Sequence, residues 1–339
     1  MIKELILGIA AIVCMASCKG NAQASQQASE MQQSIQEGMA DCPDFCADSA
    51  MQYIIRQCEF GPRVTGTEAH SICGDYIVSQ FKAMGTQVTE QKAELTAYDG
   101  TKLPGRNIIA SINPDAQQRL LLCAHWDCRP WADNDDNEAN HHTPILAAND
   151  AASGVAVMLE IARALQQHPI KMGIDFVCFD AEDWGTPQWE EDIPEDSDGG
   201  WCLGSKYWSM NPHVSGYWAQ IGILLDMVGG RGATFARESY SDYYAQPIVD
   251  LVWNTAAKLG YGNIFQNRQG GAVTDDHVPV NQYAGIHCID IIPNYQNAMG
   301  SSFGPTWHTV NDTPENIDPA ILKAVGQTLL QVICHLDAQ

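Results

Sequence analysis

The amino-acid sequence predicts an α/β protein: a single domain with a central mixed, largely parallel β-sheet flanked by helices on both faces. Two observations carry this expectation. Short runs that are apolar nearly throughout, such as 174–179 and 221–227, recur along the chain, and a strand buried on both faces needs that uniform apolarity. Segments with helical spacing of apolar residues alternate with those runs, the order that parallel crossover connections require. Composition agrees. Of 339 residues 45% are hydrophobic, which excludes a disordered chain, and 28 Gly with 16 Pro follow no fixed period. No internal repeat or second domain boundary is evident.

The N-terminus reads separately from the domain. Residues 5–17 form an apolar run behind Lys3, ending in Met15-Ala16-Ser17-Cys18. The run is too short to span a bilayer and suits the core of a signal peptide. Small residues before a Cys at that point resemble the lipobox of bacterial lipoproteins. The resemblance implies a signal peptide over 1–17, a lipidated Cys18, and an exported protein that is periplasmic or membrane-associated. Ordinary cleavage nearby would leave a free exported protein instead. Residues 18–40 are rich in Gln, Ala and Ser and read as a tether, with the folded domain over 41–339.

Along that domain, 56–70 is a turn region, and 71–84 is a helix with Ile72, Tyr76, Ile77 and Phe81 spaced for one face. Strands follow at 107–112 and 119–124, a helix at 154–165, and strands at 174–179 and 221–227. A helix over 246–259, a strand over 286–292 and a helix over 319–335 complete the order. Of 12 Cys, Cys42 and Cys46 are candidates for pairing in an oxidising compartment. Cys123, Cys178 and Cys288 lie in strand-like runs and read as buried thiols.

Acidic side chains number 41 against 18 basic ones, a net charge of −23 with no Lys/Arg cluster. That balance excludes nucleic acid as a partner, because phosphate binding needs a basic footprint. The chemistry gathers where strands end, the side on which parallel sheets place ligands. The strand before His125 gives His125-Trp126-Asp127. Asn149-Asp150 precedes a helix, Asp180-Ala181-Glu182-Asp183 follows a strand, and Asp226 ends another. Later come Asp275-Asp276-His277 and Trp307-His308-Thr309. Any one such Asp is an ordinary cap or turn former. As a set, Asp150, Asp183 and His308 offer three N/O ligands of the kind zinc takes, and Glu182 is placed to act as a general base.

This order resembles the zinc aminopeptidase superfamily, and within it the animal-type glutaminyl cyclases (glutaminyl-peptide cyclotransferases) with their bacterial relatives. Three stretches carry the narrower match: 149–165, Asp275-Asp276-His277-Val278-Pro279, and Trp307-His308-Thr309 with Phe303 before it. The resemblance implies a zinc aminopeptidase-like fold, one Zn2+ per chain held by Asp150, Asp183 and His308, and catalytic roles for Glu182, Asp226 and Asp275. It also implies substrate-binding walls from Trp189, Phe303 and Trp307, and peptides or proteins with N-terminal glutamine as partners. The family usually has Glu-Glu where this chain has Glu182-Asp183, so the ligand is one methylene shorter and a local backbone adjustment is expected.

Two other readings stay open. A di-zinc aminopeptidase would use His125 and Asp226 for a second ion, and a peptide-binding protein of the same fold would not turn over. His277 reads as a structural hydrogen-bonding residue. The acidic loop 133–138, lacking the spaced oxygens and glycine of a calcium loop, reads as solvated surface.

Overall fold

The structure, a computed structural model, describes residues 39–191, 199–296 and 301–339. The expected signal peptide over 1–17, Cys18 and nearly all of the expected tether lie outside them. In chain order the strands are β1 (Gln87–Thr96), β2 (Lys102–Ile112), β3 (Arg119–His125), β4 (Gly173–Phe179), β5 (Ile221–Leu225), β6 (Phe235–Arg237), β7 (Phe265–Gln269) and β8 (Cys288–Ile291). The helices are α1 (Ala47–Glu59), α2 (Glu68–Ala83), α3 (Ala152–Gln166), α4 (Leu203–Met210), α5 (Ser239–Lys258) and α6 (Pro319–Asp337), with short helical turns between them.

Six strands form the central sheet in the order β1-β2-β4-β3-β5-β8, and β6 pairs with β7 in a small sheet of its own. The pairs β4/β3, β3/β5 and β5/β8 are parallel, whereas β1/β2 and β2/β4 are antiparallel. Every residue of β3, β4, β5 and β8 is buried, which is why these strands are apolar without alternation. One face packs Val177, Phe179, Cys123 and Leu224 against Trp208 of α4 and Val280. The other receives α2, where Phe81 stacks on Phe176 of β4 at 5.5 Å between ring centroids, and the helical layer of α1, α3, α5 and α6.

Several boundaries differ from the sequence reading. β1 was not expected: Gln87–Thr96 is mostly exposed, and its polar, charged residues suit a sheet edge. β2 begins five residues early, running through Pro104 and Gly105. α5 begins at Ser239 rather than 246 because two helical pieces meet at a kink, with Ala245 at φ −150° and Pro247 just beyond it. That proline makes only the second piece legible as a helix start. β5 stops at Leu225, since Met227 turns into the left-handed region at φ 50°. The described cysteines are all free thiols. Cys42 does not pair with Cys46; its thiol donates to the Pro43 carbonyl at 3.5 Å.

Two close approaches set the site's framework. At the start of α3, Gly154 sits against the Leu225 carbonyl and Ala124, where a Cβ would overlap both. The helix start can therefore lie against the ends of β3 and β5. At the other side of that layer, the segment before α1 lies along α6. Phe45 is 2% exposed, over Gly326, its N–H donates to Gln327 Oε1 at 2.9 Å, and its carbonyl accepts from Lys323 Nζ at 2.8 Å. Gln331 Nε2 donates to the Ala40 carbonyl at 3.0 Å. Phe45→Ala should lower unfolding stability by about 3–5 kcal/mol, the usual cost of emptying a buried aromatic site. Urea unfolding of the whole protein measures this, and a loss below about 1 kcal/mol, the size of an ordinary surface change, would show that the segment contributes little.

Candidate active site

The functional side chains project from where the parallel strands end. His125 is the last residue of β3, Asp226 follows β5, and Glu182 and Asp183 follow β4 after a turn at Asp180-Ala181. Asp150 precedes α3 across a cis peptide to Ala151, and His308 comes from the loop before α6. Ala181 (φ 52°) and His308 (φ 54°) lie in the left-handed region, which L-residues occupy only when their surroundings hold them there. At Ala181 the hold is Asp180. Its carboxylate accepts from Thr65 Oγ1 at 2.8 Å, His70 Nε2 at 2.9 Å, Arg106 N at 2.6 Å and Ala181 N at 2.8 Å.

Asp150 sits between the two histidines. Its Oδ1 lies 2.9 Å from His125 Nε2 and its Oδ2 lies 3.6 Å from His308 Nε2. Asp183 Oδ1 is 3.1 Å from His308 Nε2. One donor atom each from Asp150, Asp183 and His308 falls within 4.8 Å of the others, so the shorter Asp183 side chain reaches the common centre. His125, Asp150 and Asp226 form a second group of the same span, with His125 Nε2 3.2 Å from Asp226 Oδ1. Both Asp183 carboxylate oxygens are buried without a hydrogen bond. Such an anion is costly unless a cation compensates it, and two carboxylates with an imidazole are an N/O set that zinc accepts. The trio fits zinc.

Behind these donors stands a layer of carboxylates to which the sequence reading gave no such role. Asp133 is buried, its Oδ1 3.4 Å from His308 Nδ1, and Arg129 Nε holds that same carboxylate at 2.7 Å. Asp135 Oδ2 accepts from Val310 N at 3.1 Å. The loop 133–138 is thus not simply solvated surface: its first acidic residue orients His308, and Asp135 fixes the backbone just beyond it. Asp127 accepts the N–H groups of Glu182 and Asp183 at 3.1 and 3.3 Å. Asp312 accepts those of Asn149 and Asp150 at 2.8 and 3.0 Å. The spacing Arg129-x-x-x-Asp133 was the available signal for the first of these. His277 is fully buried, with Nε2 3.3 Å from Glu238 Oε2.

A cavity of about 430 Å³ opens over the cluster, lined by Asp150, Glu182, Asp183, Asp226, Asp275 and His308 on its polar side. Trp201, Phe303 and Trp307 line it as well. His308 lies between two indoles, stacked at 3.9 Å on Trp307 and at 6.0 Å on Trp201. Trp189, expected as a wall, does not line the cavity. It is 39% exposed and packs on Trp131 and His142. Trp201 stands in the wall because Gly185 leaves room for its ring, where a Cβ would overlap it.

The electrostatics follow from crowding carboxylates in a dry place. Burial, with Asp183, Asp275 and Asp276 outweighing His125, pushes Glu182 well above the carboxylate range. Burial, together with Asp150 and Asp275 and against its hydrogen bond to His125, pushes Asp226 up to about 8. Asp150 is lowered: burial opposes this, but the hydrogen bond to His125 and the charges of His125 and His308 prevail. Asp275 is raised by burial, and its Oδ2 has no hydrogen-bond partner.

Comparison with known proteins places this geometry in a family. A profile of peptidase family M28 matches residues 107–333. The glutaminyl cyclase of Bacteroides thetaiotaomicron bound to N-acetylhistamine is 52% identical, with a TM-score of 0.84 over 86% of this chain and 99% of that one. A Zn-dependent exopeptidase from Parabacteroides distasonis is 51% identical, also with a TM-score of 0.84 over 86% and 99%. The glutaminyl-peptide cyclotransferase of Drosophila melanogaster is 27% identical over 76% of this chain and 73% of its own.

Because Asp133 orients His308 through its far ring nitrogen, Asp133→Asn should weaken zinc binding by roughly 10- to 100-fold, the range found when such outer partners are removed. Competition with a chelator of known affinity reads this directly. Unchanged affinity would mean that the stacked indoles alone orient the ring.

Proposed function

The chain belongs to peptidase family M28, and we propose that it is a glutaminyl-peptide cyclotransferase, converting an N-terminal glutamine to pyroglutamate with release of ammonia. The observation that carries this reading is the small cavity itself. Three indole and phenyl walls (Trp201, Phe303 and Trp307) close around a floor of Glu182, Asp226, Asp275 and the Asp150-Asp183-His308 trio. That cavity, about 430 Å³, has the size of an ordinary small-ligand site and takes the N-terminal end of a peptide with the rest in solvent. The similarity to a glutaminyl cyclase over 86% of the chain supports it.

One zinc per chain, held by Asp150, Asp183 and His308, supplies Lewis-acid polarisation of the side-chain carbonyl when bound. The chain's own groups do the rest. Trp201, Phe303 and Trp307 keep water from the reacting amide. Asp226, supported by Asp275, accepts a hydrogen bond from the substrate's α-amine and aims its lone pair at the carbonyl carbon. As the new C–N bond forms, Glu182 takes a proton from the attacking nitrogen. As the old C–N bond breaks, it returns that proton to the leaving nitrogen, which departs as ammonia.

A second reading rests on the His125-Asp150-Asp226 group. A di-zinc aminopeptidase would place its other ion there and hydrolyse the first peptide bond. The products separate the two. A peptide beginning with glutamine should lose one ammonia by mass spectrometry and keep its first residue; free glutamine would sink the cyclase reading. Elemental analysis should give one tightly held zinc. Glu182→Gln should cut turnover by roughly 10²-fold, the scale of a lost acid-base group, with zinc retained. Asp183→Ala should lose zinc and turnover together, and equal zinc loss in both would mean that ligand and base are exchanged.

The protein is further proposed to be exported and anchored at a bacterial membrane through lipidated Cys18, with the segment to residue 40 as tether. The Met15-Ala16-Ser17-Cys18 sequence supports this. Full-length protein should partition into the detergent phase, and Cys18→Ser should move it to the aqueous phase. Detergent partitioning that survives the substitution would exclude the anchor.

A further inference from the structure

A cysteine holds the carboxylate assigned above as proton carrier. Cys202 follows the wall residue Trp201 and precedes α4. Its backbone N–H donates to the Glu182 carbonyl at 3.0 Å, and its thiol donates to Glu182 Oε1 at 3.5 Å. Leu203 N–H adds a bond to the Ala181 carbonyl at 3.1 Å. The two segments thus meet main chain to main chain, with both Ala181 (φ 52°) and Cys202 (φ 58°) turned into the left-handed region to make the contact. Among the described residues, that thiol is the one side-chain hydrogen bond on the Glu182 carboxylate. The other oxygen, Oε2, lies 3.9 Å from His125 Nδ1, beyond hydrogen-bond reach.

We infer that Cys202 is a positioning residue for the reaction, its S–H fixing Glu182 Oε1 so that Oε2 is the oxygen that exchanges protons with the substrate. The inference rests on the role given to Glu182 above. The choice of donor makes chemical sense. A lysine or arginine at this place would stabilise the carboxylate strongly and make it a poor proton acceptor. A thiol is a weak neutral donor, so it orients the group with little loss of basicity. Burial, with Glu182, Asp276 and Asp275 around it, pushes the Cys202 thiol well above its ordinary range, which keeps the proton on sulfur. At 1% exposure, Cys202 acts on substrate only through Glu182.

The test compares Cys202→Ala and Cys202→Ser in the zinc-loaded enzyme, each also in the Glu182→Gln background. Removing the donor should lower kcat by about tenfold, the size of a lost hydrogen bond to a charged group. KM should stay within about twofold, because binding does not use the thiol. Cys202→Ser, which keeps a donor, should recover most of the turnover. In the Glu182→Gln background Cys202→Ala should cost nothing more, since its effect passes through that carboxylate. Zinc content and thermal midpoint are read for every variant. Wild-type turnover in Cys202→Ala, an equal further loss in the Glu182→Gln background, a loss that Cys202→Ser shares in full, or one that tracks zinc content would each overturn the assignment. Full turnover of Glu182→Gln alone would instead remove the proton-carrier role itself, and this inference with it.

Discussion

Five carboxylates face one cavity: Asp150, Glu182, Asp183, Asp226 and Asp275. Bringing them out of water and next to one another is a large electrostatic cost. Desolvation and like-charge repulsion both act against it. Much of the surrounding architecture answers that cost. Two imidazoles sit between the acids, and Arg129 stands behind, reaching the Asp183 carbonyl at 3.0 Å. Outer carboxylates spend themselves on backbone N–H groups, Asp127 on Glu182 and Asp183, Asp312 on Asn149 and Asp150. A dication would add counter-charge at Asp183, whose oxygens make no hydrogen bond and whose Oδ1 has Arg129 Nη1 at 3.6 Å. The same crowding raises Glu182 and Asp226, so groups that would be inert anions in water become able to hold a proton.

The sheet turns that cost into geometry. β3, β4 and β5 run side by side in register, so His125, the Asp180–Asp183 turn and Asp226 emerge next to one another. Each turn is then locked by a side chain from elsewhere in the chain. Asp180 draws on Thr65 and His70, and the loop at His308 draws on Asp133 and Asp135. The aromatic walls are tied to the same locks. Asn134 Nδ2 donates to the Trp307 carbonyl at 3.1 Å, and the Arg129 guanidinium lies 4.6 Å over the Trp201 ring.

How much of this could be read in the sequence depended on whether burial left a local mark. β3, β4 and β5 did, because strands covered on both faces are apolar nearly throughout. β1 did not: at an edge, Gln87–Thr96 needs only Leu95 buried, and the remainder resembles a polar loop. Asp150, Asp183, His308, Glu182, Asp226 and Asp275 stand at strand ends or in motif-like groups, and the structure brings all six to one cavity. Asp133 was misread because it opens the run Asp133-Asn134-Asp135-Asp136, whose composition is that of a solvent-facing turn. Its burial depends on Arg129 and on His308, one of them far away in sequence. Trp189 and Trp201 both follow the Glu-Asp pair, and sequence distance does not tell which indole turns inward. Gly185 and the backbone bond from Cys202 to Glu182 decide that, and neither leaves a pattern in composition.

The segment ahead of α1 has a consequence for the order in which the molecule can be completed. Phe45 and Gln327 are bonded across 282 positions of chain, and Lys323, Gln327 and Gln331 of α6 hold residues 40–45. During synthesis residues 40–45 lack these partners until α6 has been made. Contacts of such long separation form late, because the loop they close must be ordered first. A partly made chain is therefore left with Phe45 uncovered and α1 held on one side only.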